Sequence, residues 1–583
     1  MEYKTENKIC QNCKGDFTID PNDFLFYEKI QVPHPTFCPE CRIIRRMVWR
    51  NERNLYRRPC MTKEGMKDLI SNYHPRVPFP VYEQDYWWSD AWDAFDYGQD
   101  YDFNKPFFTQ LKELMDKVPE PHATNLQNTN SDYCNFTYQS KGCYLCFASD
   151  INEDCSYLHQ TMKSKNSYDL EGCESMESCI VSYKSKGCYQ SSYTYFSYNC
   201  IGSNLMWDCH NCTNCFGCVE LRNKSNCIFN VQYSKEEYNE KIKEYMNGSY
   251  ETLQKNLKEF FAFSLTFPRK FADILLSENV TGNHIRNANN CHEAYDVANK
   301  LENCKFIGYA FSNTNDCYDL YAGGVNLEVG YEIMSVGDNA QNIFMSAMIW
   351  SSSDIYYSLF CHQSSNLFGC VGLRGKSYCI FNQQYTKEQY NELVPKIIAH
   401  MNEMPYVDKK GNVYKYGEFF PSELSPLAYN ETPAGDYYPL TKEQAVEENF
   451  IWQDKEKSNY TVTMPTDKIP DNIMDISDNI VNHIIECEDK NFDYSPGAFK
   501  MTANEFQLYK KMNLPIPRKS PNARFYERLY HRLPYQLFAR VCMCKQTNHL
   551  HGTEACQTEF ETPYEKNRPE IVYCEKCYQQ EVM

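Results

Sequence analysis

Hydrophobic positions in this chain come in short runs. Over residues 129–233 and 281–385 they form pairs or triplets such as Asn199-Cys200-Ile201 and Asn303-Cys304-Lys305-Phe306-Ile307, set between corners of Ser, Asn, Asp and Gly. Runs this brief cannot bury a face alone and gain a core only by stacking coil on coil, which predicts parallel β-solenoids. In the first array Cys134, Cys143 and Cys155 recur with the same mutual spacing as Cys179, Cys188 and Cys200. Segments there run to about 11 or 12 positions, each a corner followed by a short strand. In the second array the spacing is 12 to 14, through Cys291, Cys304, Cys317, Tyr331, Ile343 and Ile355. Two segments per coil predict coils of about 22 residues, roughly four to five in each array.

Each array ends in the same way. Residues 214–242 and 366–394 are about two-thirds identical without a gap, and each leads into a capping box, Ser234-Lys235-Glu236-Glu237 and Thr386-Lys387-Glu388-Gln389, opening an amphipathic helix that covers the last coil. The chain ends are duplicated as well: Phe17 to Cys60 aligns gaplessly with Phe499 to Cys542. The predicted fold is mainly β, with two tandem parallel β-solenoid (β-helix-like) arrays between small α+β modules at the two termini. The boundaries are a first module at 1–60, its aromatic and acidic extension with a helix at 61–128, array one at 129–233, a capping helix and connector at 234–280, array two at 281–385, a capping helix at 386–402, an extended linker at 403–480 with a short helix from 470 to 486, and the C-terminal module at 481–583.

With 583 residues, several domains or an elongated repeat array is expected in place of one compact globule. A net charge of −18 argues against a surface that coats nucleic acid or anionic membrane as a whole. No apolar stretch approaches the length of a spanning helix, and the polar start Met1-Glu2-Tyr3-Lys4 lacks the apolar core of a secretory signal, so a cytoplasmic location is expected. The thirty cysteines are then thiols or metal ligands.

Cys10-x2-Cys13 with Cys38-x2-Cys41 offers four thiolates in two close pairs, matching the tetrahedral demand of structural zinc. These residues, with Phe17, Phe26, Tyr27, Lys29, Pro35, Pro39 and Arg42, resemble the zinc-ribbon (treble-clef-like) domains of uncharacterised bacterial proteins, over about 45 residues at each end of the chain. The resemblance implies no established activity. Lys14-Gly15 stands where that family has Gly directly after the second Cys. In the C-terminal copy Ser520 and Ala523 replace Cys38 and Cys41, and Cys487 is followed by Lys490 in place of a CxxC partner, so this site is lost. That copy offers Cys542, Cys544, Cys574 and Cys577 instead, with Cys556, His549 and His551 in reserve; the first module keeps Cys60 but has Lys63, Glu83 and Tyr86 where the partners would stand. An ancestral module with two metal sites, each copy retaining a different one, gives two zinc ions per chain. Cys209-x2-Cys212-x2-Cys215-x2-Cys218 has the spacing of an iron–sulfur ligand run, but its internal copy reads Cys361, Ser364, Leu367 and Cys370, and a Leu at one position marks an apolar interior.

On a helix spanning Arg42 to Arg58, the side chains of Arg42, Arg46, Arg50, Arg53 and Arg57 would form a basic stripe. It suits an acidic partner, internal or on another protein, or nucleic-acid phosphates. The internal candidates are Asp85, Asp90, Asp93, Asp96, Asp100 and Asp102, in a segment that also holds Trp87, Trp88 and Trp92. Those aromatics read either as a satellite core or as a platform for a sugar or peptide. No nucleophile–base spacing, phosphate-binding Gly loop or His-Glu-x-x-His occurs. The array carboxylates Asp150, Glu153, Asp154, Asp169 and Glu171 show no register that singles out a catalytic pair. The expectation is a non-enzymatic zinc-binding scaffold that presents its arrays to a protein partner. Nucleic-acid binding through the basic stripe is the alternative, and a β-helix carbohydrate enzyme the third reading.

Overall fold

The computed structural model describes residues 3–62, 68–455, 460–489 and 495–582. Its architecture is mainly β. In the first array Thr129 pairs in parallel with Lys141, Lys141 with Glu153, Glu153 with Lys165, and so on through Glu177, Tyr189 and Ile201 to Thr213, always at a sequence separation of 12. One coil therefore takes 12 positions, about half the length that two segments per coil implied.

The backbone explains the shorter coil. Every third residue is left-handed: Asn199 (φ 53), Gly202 (φ 56), Leu205 (φ 54), Asp208 (φ 48), Asn211 (φ 54) and Asn214 (φ 52). Each is a corner, and four corners close a square coil. The residue after each corner turns inward, so Cys200, Ser203, Met206, Cys209, Cys212 and Cys215 are all completely buried.

Each three-residue side distributes its three N–H groups differently. The corner residue bonds to the coil before it (Asn199 N to Lys186 O, 2.8 Å), and the residue ahead of the corner bonds to the coil after it (Tyr198 N to Cys209 O, 2.9 Å). The third N–H, that of the inward residue, points into the interior and needs a side-chain acceptor. Ser197 Oγ accepts from Cys209 N (3.2 Å), and Ser203 Oγ accepts from Cys215 N (3.2 Å) while donating to Ile201 O (3.0 Å). Cysteine fills the same position: Cys200 Sγ faces the backbone N–H of Cys212 and donates weakly to Cys209 O at 3.3 Å. An interior of Ser, Thr and Cys follows from this need.

The second array begins with wider coils, in which Tyr295 pairs with Gly308, Gly308 with Tyr321, Tyr321 with Met334 and Met334 with Ala347. Their separation is 13, and it tightens to 12 along Ala347, Leu359 and Val371. The extra residue sits at one corner. There Asn313, Asn326 and Asn339 stack, each amide donating to the next at 2.8 and 2.9 Å.

Both arrays close identically. A short antiparallel hairpin folds over the last coil (Cys227 opposite Gln232, Cys379 opposite Gln384), and Asn230 and Asn382 bond both backbone groups of Val219 and of Val371 in place of a further coil. The helices Lys235–Tyr245 and Lys387–Glu403 follow, opened by the expected Ser234/Glu237 and Thr386/Gln389 capping boxes. Residues 473–482 form 3-10 turns in place of the short α-helix expected there.

The terminal modules share one order of elements. Helices Pro21–Lys29 and Pro39–Met47 correspond to Ala503–Lys511 and Pro521–Leu529. The hairpin of Tyr56–Pro59 with Asp68–Ser71 corresponds to that of Phe538–Val541 with Glu559–Thr562. The first module packs on the second array and the last module on the first, so the duplicated halves are interlocked.

The interior hydrogen bonds generate a prediction. Ser203→Ala should cost roughly 1–3 kcal/mol in denaturant unfolding, because the Cys215 N–H is left unpaired inside the coil. Ser203→Cys, which keeps a small donor and acceptor, should cost less than about 1 kcal/mol. Equal losses in the two variants would contradict this account of the interior.

Candidate metal centres and the buried charge clusters

In the first module Cys38 is the residue that opens helix Pro39–Met47, which places Cys38 and Cys41 at its first turn. Cys10 and Cys13 approach from the knuckle after strand Glu6–Ile9, and the four Sγ atoms lie within 4.8 Å of one another. Cys13 Sγ is 3.7 Å from Cys38 Sγ. A tetrahedral ion with arms of about 2.3 Å has ligand–ligand edges of about 3.8 Å, so four sulfurs at this spacing can share one. Three N–H donors, Cys38 N to Cys10 (3.3 Å), Cys41 N to Cys38 (3.5 Å) and Asn12 Nδ2 to Cys41 (3.4 Å), favour the thiolate forms. Lys14 takes a left-handed φ of 62 directly after Cys13, so the chain turns back there without a glycine.

The same knuckle persists without its ligands in the C-terminal module. Cys487 N bonds to Gly497 O, as Cys10 N does to Gly15 O, and Ser520 N bonds to Cys487 Sγ at 3.1 Å, as Cys38 N does to Cys10. Cys487 thus occupies the place of Cys10, and Lys490, where its partner thiol would stand by CxxC spacing, lies outside the described residues. Ser495 and Ser520 stand for Cys13 and Cys38 and hydrogen-bond within the gap, Ser495 Oγ to Cys487 Sγ at 3.3 Å and to Ser520 Oγ at 3.5 Å.

The other C-terminal group differs from expectation by one ligand. Cys542, Cys574 and Cys577 converge with Cys556, all four buried, whereas Cys544 faces His549 and His551. Cys556 and Cys574 are 4.0 Å apart, and Cys574 N bonds to Cys542 Sγ at 3.2 Å. The reason is the strand that Cys542 and Cys544 continue: Cys542 N pairs with Thr558 O and Cys556 N with Cys544 O, so Cys556 arrives on the adjoining stretch of backbone beside Cys542. In the first module Cys60 sits in the place of Cys542, receiving Glu83 N at 3.4 Å, with Glu83 and Tyr86 in place of the other thiols; Lys63 lies outside the described residues. The Cys209–Cys218 run supplies the four inward positions of a single coil, and Cys209, Cys212 and Cys218 each bond through sulfur to the carbonyl nine positions further on (3.3, 3.5 and 3.6 Å).

The basic stripe does not form. Its helix ends at Met47, and Arg50, Arg53 and Arg57 lie beyond it, Arg57 on the exposed hairpin facing Asp68. Arg42 and Arg46 are completely enclosed with Asp319 and Glu332 of the second array: Arg42 lies 3.0 Å from Asp319, and Arg46 lies 3.2 Å from Asp319 and 3.4 Å from Glu332. Arg45, which the stripe omitted, completes the cluster by pairing with Glu332 and with Glu418 of the linker (2.9 Å). Three guanidinium groups thus meet three carboxylates out of water, an arrangement sustained only with every partner present. Burial pushes Glu332 up to about 7 against the pull of Arg45 and Arg46. Arg524 and Arg528 of the last module hold Asp169 of the first array in the same manner, at 3.1 and 2.9 Å.

The acidic aromatic segment lies elsewhere, over the end of the second array, where Asp93 approaches Lys376 at 3.9 Å. Trp87 is fully buried and bonds Pro119 O; with Trp88, Trp350, Phe360 and His362 it lines a cavity of about 290 Å³. Among the array carboxylates, Asp169 and Glu171 are consumed in internal ion pairs, and Glu153 bridges Lys141 and Lys165 on the surface.

His159 ties three parts together. Its Nε2 lies 2.6 Å from Glu52 of the first module, its Nδ1 lies 2.9 Å from Glu171 of the next coil, and its ring meets Phe525 of the last module edge-on. Glu52 in turn receives Arg50 at 2.7 Å. Burial alone would lower the His159 pKa, but Glu171 and Glu52 outweigh it and raise it to about 9, so the ring is an imidazolium at neutral pH.

No family model matches this chain, and no curated protein matches it. One solved structure, a "putative acetyltransferase" from Desulfovibrio desulfuricans G20, is similar over 38% of this chain and 64% of its own, slightly under two-thirds of that protein, at 12% identity and a TM-score of 0.10.

The histidine contact has a definite pH dependence. Its folded pKa of about 9 lies above the unfolded value near 6.5. The stabilisation is therefore complete below about pH 6.5 and is lost as pH rises through about 9. The advantage of wild type over His159→Gln in denaturant unfolding should narrow by about 3 kcal/mol between about pH 6 and about pH 10. A pH-independent difference would contradict the charged ring.

Proposed function

We propose that the chain is a non-enzymatic scaffold: two β-solenoids stabilised by treble-clef-like zinc modules, with open solenoid sides that receive a protein partner. The observation that carries this reading is how the sides of the first array are used. Two of its four sides are walled in, along Ser156, Tyr168, Ile180 and Ser192 and along His159, Glu171, Tyr183 and Tyr195. The side through Lys141, Glu153, Lys165, Glu177, Tyr189 and Ile201 stays open; its charges pair along the ladder, and it ends in Tyr189 and Ile201, 39% and 47% exposed. A regular strip of four charged residues running into two half-exposed apolar ones is chemistry suited to a protein surface.

Zinc is the metal that four thiolates at tetrahedral spacing favour, and a site closed by four protein ligands is a structural one. Thirty cysteines without a disulfide suit a reducing, cytoplasmic setting. The burial of Arg42, Arg46 and Arg50 removes the groups that a nucleic-acid interface would have used.

Two experiments test the proposal. Cys38→Ala in the full chain should lower the zinc content by one equivalent and open the first module to protease, since site assembly supplies folding energy; unchanged zinc and protease resistance would reject the first site. Affinity capture with the full chain should retain a nuclease-resistant protein partner that is lost with Tyr189→Lys/Ile201→Lys at unchanged melting temperature. Capture of nucleic acid alone, or of the same proteins by both forms, would reject the scaffold reading.

A further inference from the structure

Cys544, His549 and His551 form a group beside the C-terminal four-thiolate site. Nδ1 of His549 is 3.2 Å from Cys544 Sγ, and Nε2 of His551 is 3.3 Å from the same sulfur. The far nitrogen of each ring is held by an acceptor: Nε2 of His549 lies 3.3 Å from the Glu581 carboxylate, and Nδ1 of His551 lies 2.7 Å from the Glu554 carbonyl. An acceptor at the far nitrogen fixes the N–H there, so each neutral ring directs its lone pair inward, the arrangement that orients metal-bound histidines. Two lone pairs then converge on one thiol, which has a single hydrogen to give. A cation satisfies both rings and the sulfur together.

The sulfur of Cys577 lies within 4.8 Å of this group and belongs equally to the group of Cys542, Cys556 and Cys574. We propose that the C-terminal module binds two divalent ions, the second held by Cys544, His549 and His551, with the Cys577 thiolate bridging the pair. The inference rests on the reading of the four-thiolate group as a zinc site. Charge favours the pair: four thiolates around one zinc leave a net −2, whereas five thiolates around two zinc ions leave −1. The full chain would then carry three zinc ions, one in the first module and two in the last.

Zinc analysis of the full-length protein should give three equivalents, falling to two in His549→Ala/His551→Ala with the Cys10–Cys41 site retained. Two equivalents in both forms would overturn the second ion while leaving the four-thiolate site standing. Unchanged zinc in Cys556→Ala/Cys574→Ala would instead reject the four-thiolate site itself. Should the histidine variant fail to fold, cadmium-113 NMR of the cadmium-loaded wild type decides: two mutually coupled resonances, one with nitrogen ligands, support the bridged pair, and resonances from all-sulfur sites alone overturn it.

Discussion

A left-handed residue at every third position is the constraint on which this molecule depends. A single non-glycine residue in that conformation costs about 1 kcal/mol or more, and the arrays repeat it around every coil, at Leu205, Asp208, Asn211 and Asn214 among others. The cost is offset because each corner turns its N–H onto the preceding coil and frees the next side chain to point inward. From this follow the square coil, the narrow interior, and the selection of Ser, Thr and Cys to receive the remaining N–H group. So slender a core leaves large outward residues such as Tyr183 and Tyr195 needing cover, which His531 of the last module and Phe261 of the connector helix provide.

The cover is attached by charge. Asp169 lies four coils before Gly217, through Val181, Tyr193 and Leu205, and Asp319 lies four coils before Gly369, through Glu332, Met345 and Tyr357; all are left-handed corners. The two aspartates are therefore equivalent, and each receives the paired arginines of a module from the opposite end of the chain. Contacts as distant in sequence as Arg42 with Asp319, a separation of 277, need both the module and the array surface in place before they can form. His159 stands where these attachments meet, its charge serving the first module and its ring the last.

The sequence made much of this legible. The duplications, the capping boxes and the Cys10–Cys41 group could be read because each is a local pattern. The coil length was also present in plain arithmetic: Cys200, Cys209, Cys212, Cys215, Cys218 and Cys227 are all separated by multiples of three. It was obscured by the habit of reading apolar runs as strands of period two. What local pattern could not show was partnership at a distance. Nothing beside Arg42 announces Asp319, and helical periodicity carried past Met47 turned buried anchors into an imagined surface stripe. Cys556 displaced Cys544 because backbone pairing, unlike ligand spacing, decides which thiol faces inward. Cys487 could be read as the counterpart of Cys10, but the place of Cys13 was sought at Lys490, whereas the longer loop before Phe499 puts Ser495 there.

The wider coils of the second array have a bearing on how such a chain can change. In an ordinary sheet, one inserted residue reverses which side chains face the core along the rest of the strand. Here the added residue is absorbed at the asparagine corner of Asn313, Asn326 and Asn339, and the inward sequence resumes at Thr314, Leu327 and Ala340. Insertions and deletions at that corner are thus confined to a single edge. The arrays can drift in length and in coil size over evolutionary time, provided that the aspartates at the docking coils keep their place.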